Sequence, residues 1–340
     1  MKSWYIGCLS ILIILSSATC KNKKANKNAN RLSIAFYNID NLFDTVDDND
    51  HLDDDFTKNG MYKWDKTRYN NKLENLEKVI SQLVDGDLPD VLGVCELESK
   101  TALNDLINTG KLKNHYSYTH FDSKDERGID VALIYNSSKI KLLNSNPISV
   151  TLTKNSNDFT RDILHCQLEL MKTKDILNVF VCHYPSRREG KDESEQNRID
   201  VSTTLKNYIN NKLEKEKDNI IIMGDFNDEP WDKSIKELGS VKIDSKKDGD
   251  FYNVMYKFID QKRGTYKFRD KLNLLDQLII SKPLYDKKGL DYEANSAEIM
   301  DLEWMKQKGK YEGFPLRTFG GNEWLNGYSD HFPVYLYLSY

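Results

Sequence analysis

Short apolar runs separated by polar turns recur along the chain and predict most of its secondary structure. Runs that are rich in branched and aromatic residues, and that end at turn residues, predict strands. The predicted strands cover residues 32–38, 91–95, 129–135, 163–170, 176–182, 220–223, 274–280 and 334–338. Apolar residues at helical spacing predict two amphipathic helices, one over residues 65–83 and one over residues 199–213.

Polar side chains stand at the ends of these strands, and their positions predict the direction of the strands. Five of them follow an apolar run, at the C-terminal end of a strand: Asn38, Glu96, His183, Asp225 and Asn227. Asp276 and His331 instead stand early in, or just before, the last two strands. All seven can meet at one site if the last two strands run opposite to the others, which requires mixed sheets. Many strands and few helices therefore predict an α+β fold, with two packed mixed β-sheets flanked by helices.

The N-terminal segment has the layout of an export signal. Lys2 precedes an apolar stretch over residues 4–15, which small residues and Cys20 follow. This stretch is too short to span a membrane. We therefore predict a signal peptide over residues 1–19, a polar tether over residues 20–30 and one folded domain over residues 31–340. No internal repeat or flexible linker divides that last segment.

The segment around Cys20 resembles a bacterial lipoprotein signal, in which the cysteine is lipidated after cleavage. Plain secretion with cleavage near Cys20 is the alternative. In either case the protein is expected to be exported. It would be a membrane-anchored lipoprotein in the periplasm or on the outer surface, or otherwise a secreted protein.

Composition and charge narrow the range of partners. Of 340 residues, 39% are hydrophobic, enough for a sizeable core, and the formal net charge is −4. Such a balance excludes long-range capture of nucleic acid by an electropositive surface, so any basic contact must be local. The acidic segment over residues 44–55 lacks EF-hand spacing and is predicted to be a solvated loop. Cys95, Cys166 and Cys182 lie in strand-like runs and are predicted to be buried free thiols.

Two segments combine a strand with polar side chains that are common in catalytic and metal-binding sites. Gly224-Asp225-Phe226-Asn227 follows an apolar strand, and Ser329-Asp330-His331-Phe332-Pro333 precedes another. Together they supply carboxylate, amide and imidazole groups, which can hold a hard divalent cation and activate a water molecule.

Five segments occur in an order that resembles the endonuclease/exonuclease/phosphatase family. They are Tyr37-Asn38-Ile39-Asp40, the run from Pro89 to Glu96, Gly224-Asp225-Phe226-Asn227, Leu275-Asp276-Gln277 and Ser329-Asp330-His331. The family includes DNase I, apurinic endonucleases, sphingomyelinases and inositol-polyphosphate phosphatases. The resemblance implies a four-layer α/β/β/α sandwich, a catalytic domain over residues 31–340 and a metal-dependent phosphoesterase that uses Mg²⁺ or Mn²⁺.

The resemblance also implies a role for each site residue. The metal-side residues would be Asn38, Asp40, Glu96 and Asp330. The catalytic residues would be His183, Asp225, Asn227, Asp276 and His331. Asp225 would position the attacking water, Asn227 would stabilise the phosphate oxygens, and Asp276 would orient His331. His183 is a position at which the chain is similar to DNase I and the sphingomyelinases.

Non-catalytic roles remain open as alternatives for several of these residues. Asp40 could cap a turn, Glu96 could form a structural salt bridge, and Asp225 with Asn227 could close an Asx turn. Arg187 and Arg188 could grip a second phosphate or lie in a solvated loop. Further weak candidates for phosphate contact or for the rim of the site are Arg127, Arg198 and Arg317.

The function predicted from the sequence is hydrolysis of phosphodiester bonds by an exported, monomeric nuclease that acts on nucleic acid or its fragments. One alternative is a phosphatase or phosphodiesterase that acts on a phospholipid or an inositol phosphate. The other is a non-catalytic surface binding module that retains the fold.

Overall fold

The computed structural model describes residues 30–48, 50–154, 159–247, 249–269 and 271–340. The predicted signal peptide, and all of the predicted tether except residue 30, lie outside the described residues. In chain order the strands are β1 (Arg31–Leu42), β2 (Val91–Leu97), β3 (Tyr116–His120), β4 (Asp130–Asn136), β5 (Ile140–Ile148), β6 (Ile163–Leu170), β7 (Ile176–His183), β8 (Asn219–Asp225), β9 (Ser240–Lys242), β10 (Phe251–Asn253), β11 (Tyr266–Phe268), β12 (Lys271–Asn273), β13 (Asp276–Ser281), β14 (Asp291–Tyr292), β15 (Glu298–Ile299), β16 (Phe319–Gly320), β17 (Glu323–Trp324) and β18 (Val334–Ser339).

The helices are fewer than the strands. The α-helices are α1 (Lys66–Ile80), α2 (Lys100–Ile107), α3 (Glu195–Lys212), α4 (Lys233–Glu237) and α5 (Lys257–Asp260). Single 3₁₀ turns occupy Asp54–Phe56, Gly110–Leu112, Val254–Tyr256, Lys282–Tyr285, Glu303–Met305 and Gly309–Tyr311. None of the helices in the described ranges is long and apolar enough to cross a lipid bilayer.

Two seven-stranded sheets carry the fold. The first has the order β14-β18-β1-β2-β4-β3, with β15 also paired to β18. In it β1 and β2 are parallel, whereas β18 is antiparallel to β1 and β4 is antiparallel to β2. The second has the order β5-β6-β7-β8-β13-β10-β9, with β7 and β8 parallel and β13 antiparallel to β8. The predicted mixed sheets are therefore confirmed.

The helices cover the outer faces of the two sheets. Leu76 and Ile80 of α1 join the core cluster that holds the first sheet and the inner face of the second. Leu205 and Ile209 of α3 pack in a separate cluster, with residues of the second sheet such as Ile222. This gives the predicted arrangement of two packed sheets with helices outside, and burial of these apolar faces is the main favourable contribution to folding.

Local signals explain where the helices begin and why one boundary was missed. The Asp65 side chain caps α1 by accepting hydrogen bonds from the backbone N–H groups of Thr67 and Arg68, both at 3.0 Å. Helix α3 begins at Glu195, four residues before the predicted start. Its first turn is polar, so it carries no apolar periodicity from which the start could be found.

The acidic segment is exposed at most of its aspartates, but one of them is buried. Asp53 is buried, and its carboxylate accepts a hydrogen bond from the backbone N–H of Asp48 at 3.0 Å. The prediction of a solvated loop is therefore wrong at Asp53, because this side chain folds back to satisfy the backbone of its own loop.

Candidate active site

Strand register aligns three of the predicted catalytic residues. His183 is paired with Asp225 across β7 and β8, and Asp225 is paired with Asp276 across β8 and β13. Because β13 runs antiparallel to β8, its first residue lies beside the last residue of β8. The second sheet therefore presents these side chains together at one edge, as the strand directions predicted.

The amide of Asn38 joins the two sheets at this edge. Its Nδ2 donates to Oε1 of Glu96 and to Oδ2 of Asp225, both at 3.1 Å. Asn38 is at the C-terminal part of β1 in the first sheet, whereas Asp225 ends β8 in the second. The carbonyl oxygen of its side chain accepts the backbone N–H of Asp40 at 3.0 Å, so the whole amide is fixed.

Glu96 stands in an irregular stretch where the pairing of β2 shifts register. Its φ is +64°, and Asp40 and Asn41 on the neighbouring strand have φ values of +52° and +56°. Such left-handed conformations are unfavourable for residues other than glycine and are typical of functional sites. The distortion directs the Glu96 carboxylate to the edge, where its Oε2 accepts the backbone N–H of Asn41 at 3.1 Å.

His331 is held by Asp276 and faces Asp225. Its Nδ1 lies 2.7 Å from Oδ2 of Asp276, and its Nε2 lies 3.7 Å from Oδ2 of Asp225. His183 approaches the same oxygen from its own strand, with its Nε2 3.8 Å from Asp225 Oδ2 and 3.8 Å from Glu96 Oε1. The two imidazoles therefore converge on one carboxylate.

The two histidines have opposite protonation preferences. Burial lowers the pKa of His183 well below its usual value, and the charges of Arg161 and Arg127 lower it further. Burial also opposes the charged form of His331, but the carboxylates of Asp276 and Asp225 outweigh it and raise its pKa well above the usual value. At neutral pH His183 is therefore neutral and His331 is an imidazolium. Such a separation of pKa values is typical of acid–base sites.

The positive charges near two of the carboxylates, Asp225 and Asp330, do not fully compensate for their burial. Burial raises the pKa of Asp225, although the charge of His331 opposes this. Burial and the nearby Asp40 raise the pKa of Asp330 to about 7, despite an ion pair of 2.6 Å with Arg317. A divalent cation would supply the missing positive charge.

Asp40 has a different environment from its neighbours. Burial disfavours its charged form, but Lys72 and Arg317 outweigh burial and lower its pKa. Its Oδ2 accepts the backbone N–H of Thr318 at 2.9 Å. Lys72 is itself buried, donates to Thr318 Oγ1 at 2.6 Å and to the carbonyl of Tyr328 at 2.8 Å, and belongs to α1.

The donor set at the edge fits a hard cation such as Mg²⁺ or Mn²⁺, which prefers carboxylate and amide oxygens. Glu96 is the best placed ligand, because its carboxylate is partly exposed and is oriented by Asn38. Asp330 is near enough for the charge of Glu96 to help raise its pKa, and it would add a second carboxylate. Asp225, Asp276 and His331 also offer atoms within 4.8 Å of one another. We assign these three to proton chemistry, because the short bond between His331 and Asp276 already uses one imidazole nitrogen.

Asn227 has a strained backbone and an ordered side chain. Its φ is +48°, its backbone N–H donates to Asp225 Oδ1 at 2.9 Å, and its Nδ2 donates to the carbonyl of Tyr184 at 3.0 Å. The first bond closes an Asx turn, one of the alternatives raised from the sequence. The turn also fixes Asp225, so the two interpretations describe the same geometry.

The structure does not bring the predicted arginine pair into this group. Arg187 is bound by Asp228 at 3.0 Å and by Asp232 at 2.8 Å, and Arg188 is exposed. Arg198 is fully buried and pairs with Asp228 at 2.8 Å, which is a structural role. A role of Arg187 and Arg188 in substrate binding therefore stays a prediction, and the ion pairs give Arg187 a structural role as well.

Sequence reasoning missed several residues that support the site. Ser329 donates to the carbonyl of Asn38 at 2.6 Å and accepts the backbone N–H of His331 at 3.0 Å. Its place beside Asp330 in the C-terminal motif could have identified it. The ring of Tyr266 lies 4.8 Å from that of His331. Arg127, which the sequence did suggest near the site, donates to the side chain of Asn41. No sequence signal marks Tyr266, because its strand is short and unpatterned.

The chain belongs to a family that the motifs had suggested. Residues 33–340 match the model of the Endonuclease/Exonuclease/phosphatase family. The match spans most of the chain, so the family assignment is confirmed. Its members are phosphoester hydrolases, and the chain is a phosphoesterase by family. No curated protein sequence matches the chain significantly.

Solved structures of the same fold share little sequence with this chain. TDP2 of D. rerio, complexed with a single-strand DNA product, is 15% identical with a TM-score of 0.57, over 91% of this chain and 99% of its own. The mannosyl-6-phosphatase of Bacteroides thetaiotaomicron is 16% identical with a TM-score of 0.56, over 91% and 100%. The human Nocturnin catalytic domain with bound sulfate is 18% identical with a TM-score of 0.55, over 91% and 94%. At these identities the likeness supports the fold alone.

Proposed function

We propose that the protein is a divalent-metal-dependent phosphodiesterase that acts on nucleic acid or its fragments. One observation carries this proposal. Asp225 faces a neutral His183 at 3.8 Å and a protonated His331 at 3.7 Å, with Glu96 bound to the same amide of Asn38. A base, an acid and a candidate metal ligand therefore share one edge of the two sheets.

The environment of each of these residues suits a particular role in phosphodiester hydrolysis. Asp225 accepts a proton from the attacking water, and its raised pKa makes it a stronger base than an ordinary aspartate. The imidazolium of His331 donates a hydrogen bond to a phosphate oxygen and stabilises the negative charge that develops there. His183, which is neutral, binds a second phosphate oxygen through Nε2. A bound Mg²⁺ or Mn²⁺ would supply Lewis-acid stabilisation of the phosphate and of the leaving oxygen.

The net charge of the chain and one structure of the same fold favour a short or single-stranded substrate. The net charge of −4 disfavours a long DNA footprint, so short or single strands suit the protein better than duplex DNA. A TDP2 structure of the same fold is described as a complex with a single-strand DNA product.

A phosphatase is the second candidate, and one observation favours it. Arg187, the group expected to grip a second phosphate, is already bound by Asp228 and Asp232. The flanking phosphates of a nucleic-acid strand would then gain no contact from Arg187, whereas a monoester of a phospholipid, inositol or sugar with one phosphate would not need that contact. A mannosyl-6-phosphatase shares the fold, which is compatible with this alternative.

Hydrolysis assays separate these candidates. The purified protein is tested on single-stranded and duplex DNA, RNA, bis(p-nitrophenyl) phosphate, p-nitrophenyl phosphate and inositol phosphates, with Mg²⁺ or Mn²⁺ and with EDTA. We expect metal-dependent cleavage of the diesters, and a loss of roughly 10²-fold or more in Asp225→Asn. Turnover of monoesters alone would support the phosphatase. Wild-type activity in Asp225→Asn would contradict the assigned chemistry, and no activity on any ester would favour a binding module.

We also propose that the protein is exported and anchored through a lipidated Cys20. This rests on the N-terminal sequence, which lies outside the described residues. Mass spectrometry of the mature N-terminus tests it. A diacylated or triacylated Cys20 is expected, and an unmodified cleaved end would leave secretion without an anchor.

A further inference from the structure

A second group of metal-ligand side chains lies at β3 and β4, the two strands at one edge of the first sheet. His120 ends β3, Asp130 begins β4, and Asp122 lies in the loop between these strands. One ligand atom from each residue lies within 4.8 Å of the other two. None of these residues forms part of the catalytic group described above.

The imidazole of His120 is buried without a hydrogen-bond partner. Its side chain is fully inaccessible, and neither ring nitrogen makes a hydrogen bond within the part of the chain that the structure describes. Carboxylates nevertheless lie close to both nitrogens, with Asp130 Oδ2 3.4 Å from Nε2 and Asp122 Oδ1 3.7 Å from Nδ1. A buried polar group without a partner is unusual in folded proteins and needs an explanation.

A single ion can bind only one of the two ring nitrogens, and an ion held by one nitrogen and by the carboxylates would explain the geometry. Ligand atoms bound tetrahedrally at about 2.0–2.2 Å lie about 3.4 Å apart, and they do not point at one another. The contact between His120 and Asp130 has this separation. Asp122 is 66% exposed, so the group opens to solvent, where water can complete the coordination.

We propose that His120, Asp122 and Asp130 form a binding site for a divalent transition-metal ion, with Zn²⁺ as the best fit. Imidazole with carboxylates suits Zn²⁺, whereas Mg²⁺ prefers oxygen ligands alone. Lys100 competes for Asp122, but its Nζ lies 3.9 Å away and its side chain is solvent-exposed.

The bound ion would fix the conformation of a loop that contacts the candidate active site. The loop between Asp122 and Asp130 carries Arg127, which donates to Asn41, the residue whose backbone N–H binds Glu96. It also carries Asp125, which binds Arg161 at 2.9 Å. The site therefore has a structural role, and its existence does not depend on the substrate or on catalysis.

Zinc stoichiometry tests the proposal in a chain that lacks the main catalytic ligand. Glu96→Gln protein is dialysed against micromolar Zn²⁺ and its metal content is measured by mass spectrometry. The same is done after adding Asp122→Asn, whose exposed position keeps folding intact, or the control Asp87→Asn at an exposed aspartate elsewhere. His120→Asn is a second test of the same site.

We expect Zn²⁺ to bind Glu96→Gln and to raise its melting temperature by a few degrees. Asp122→Asn should lose one equivalent of Zn²⁺, or weaken its binding at least tenfold, and should lose the thermal shift. The Asp87→Asn control should keep both. Equal Zn²⁺ content and equal affinity with and without Asp122→Asn would overturn the site, and so would an absence of Zn²⁺ binding in Glu96→Gln.

Discussion

Replacing Asp276 by asparagine tests the proton chemistry without changing the shape of the side chain. Asp276 is fully buried, and its Oδ2 lies 2.7 Å from Nδ1 of His331. The carboxylate accepts a hydrogen bond from Nδ1–H, which leaves Nε2 facing Asp225 at 3.7 Å. An asparagine amide can donate to Nδ1 instead, which would favour the wrong tautomer and remove the charge that keeps His331 protonated.

The size of the effect follows from this contact. A hydrogen bond to a charged group contributes about 1.5–3 kcal/mol. If that amount is lost in the transition state, the rate falls by roughly 10- to 150-fold. The wrong tautomer adds to this loss, so we expect kcat/KM to fall by roughly 10² to 10⁴-fold.

The assay is metal-dependent hydrolysis of bis(p-nitrophenyl) phosphate, with Asp90→Asn as a matched control. Asp90 is also buried and paired, with Lys139 Nζ at 2.7 Å, but it precedes β2 at the edge away from Glu96. The control should lose stability and keep its kcat. If Asp276→Asn stays within threefold of the wild-type rate, Asp276 does not orient a catalytic imidazole.

The same variant makes a second measurement possible. The folded-state pKa of His331 lies above its unfolded value of about 6.5. Protonated His331 therefore adds stability that is fully present below pH 6.5 and is lost as the pH rises through the folded value. Asp276→Asn lacks most of this contribution. In urea unfolding with EDTA, the difference in unfolding free energy between wild type and variant should narrow as the pH is raised, and a constant difference would contradict the raised pKa.

Three further predictions concern the metal ligand, an ion pair and the core. Glu96→Gln should weaken Mn²⁺ binding, measured by titration calorimetry, at least tenfold, and should lower kcat roughly 10²-fold, whereas unchanged affinity would remove Glu96 from the ligand set. Arg317→Ala should raise the pKa of Asp330 above about 7, because it removes a charge that lowers it, and should move the acidic limb of the pH–rate profile upward. If the acidic limb of the pH–rate profile does not move, ionisation of Asp330 does not determine it. Leu205→Ala should cost about 2–5 kcal/mol in urea unfolding and leave kcat unchanged, because Leu205 is fully buried under the second sheet.

The architecture could be predicted because the inner strands of the sheets are buried and apolar. The run Ile220-Ile221-Ile222-Met223 is entirely buried, so its composition identifies a central strand without ambiguity. Strands β3 and β5 were missed because they lie at the edges of their sheets. In β5, the polar residues and Pro147 break the apolar pattern, as edge strands permit.

The site could be predicted as a list of residues but not as a set of contacts. Asp276 at the start of β13 and His331 just before β18 indicated the antiparallel directions, which bring both side chains close to Asp225. The burial of Lys72 could not be foreseen, because a lysine on an amphipathic helix is normally solvated. Likewise the partners of Arg187 lie more than 40 positions away and carry no local signal.

A crystal soaked with Mn²⁺ and inorganic phosphate, measured at the manganese absorption edge, would show whether the metal and the phosphate share the edge formed by Glu96, His183 and His331. We expect an anomalous peak at about 2.1–2.3 Å from the carboxylate of Glu96, and a phosphate within hydrogen-bond reach of both His183 and His331. A Glu96 carboxylate free of metal, or a phosphate bound away from both histidines, would contradict it.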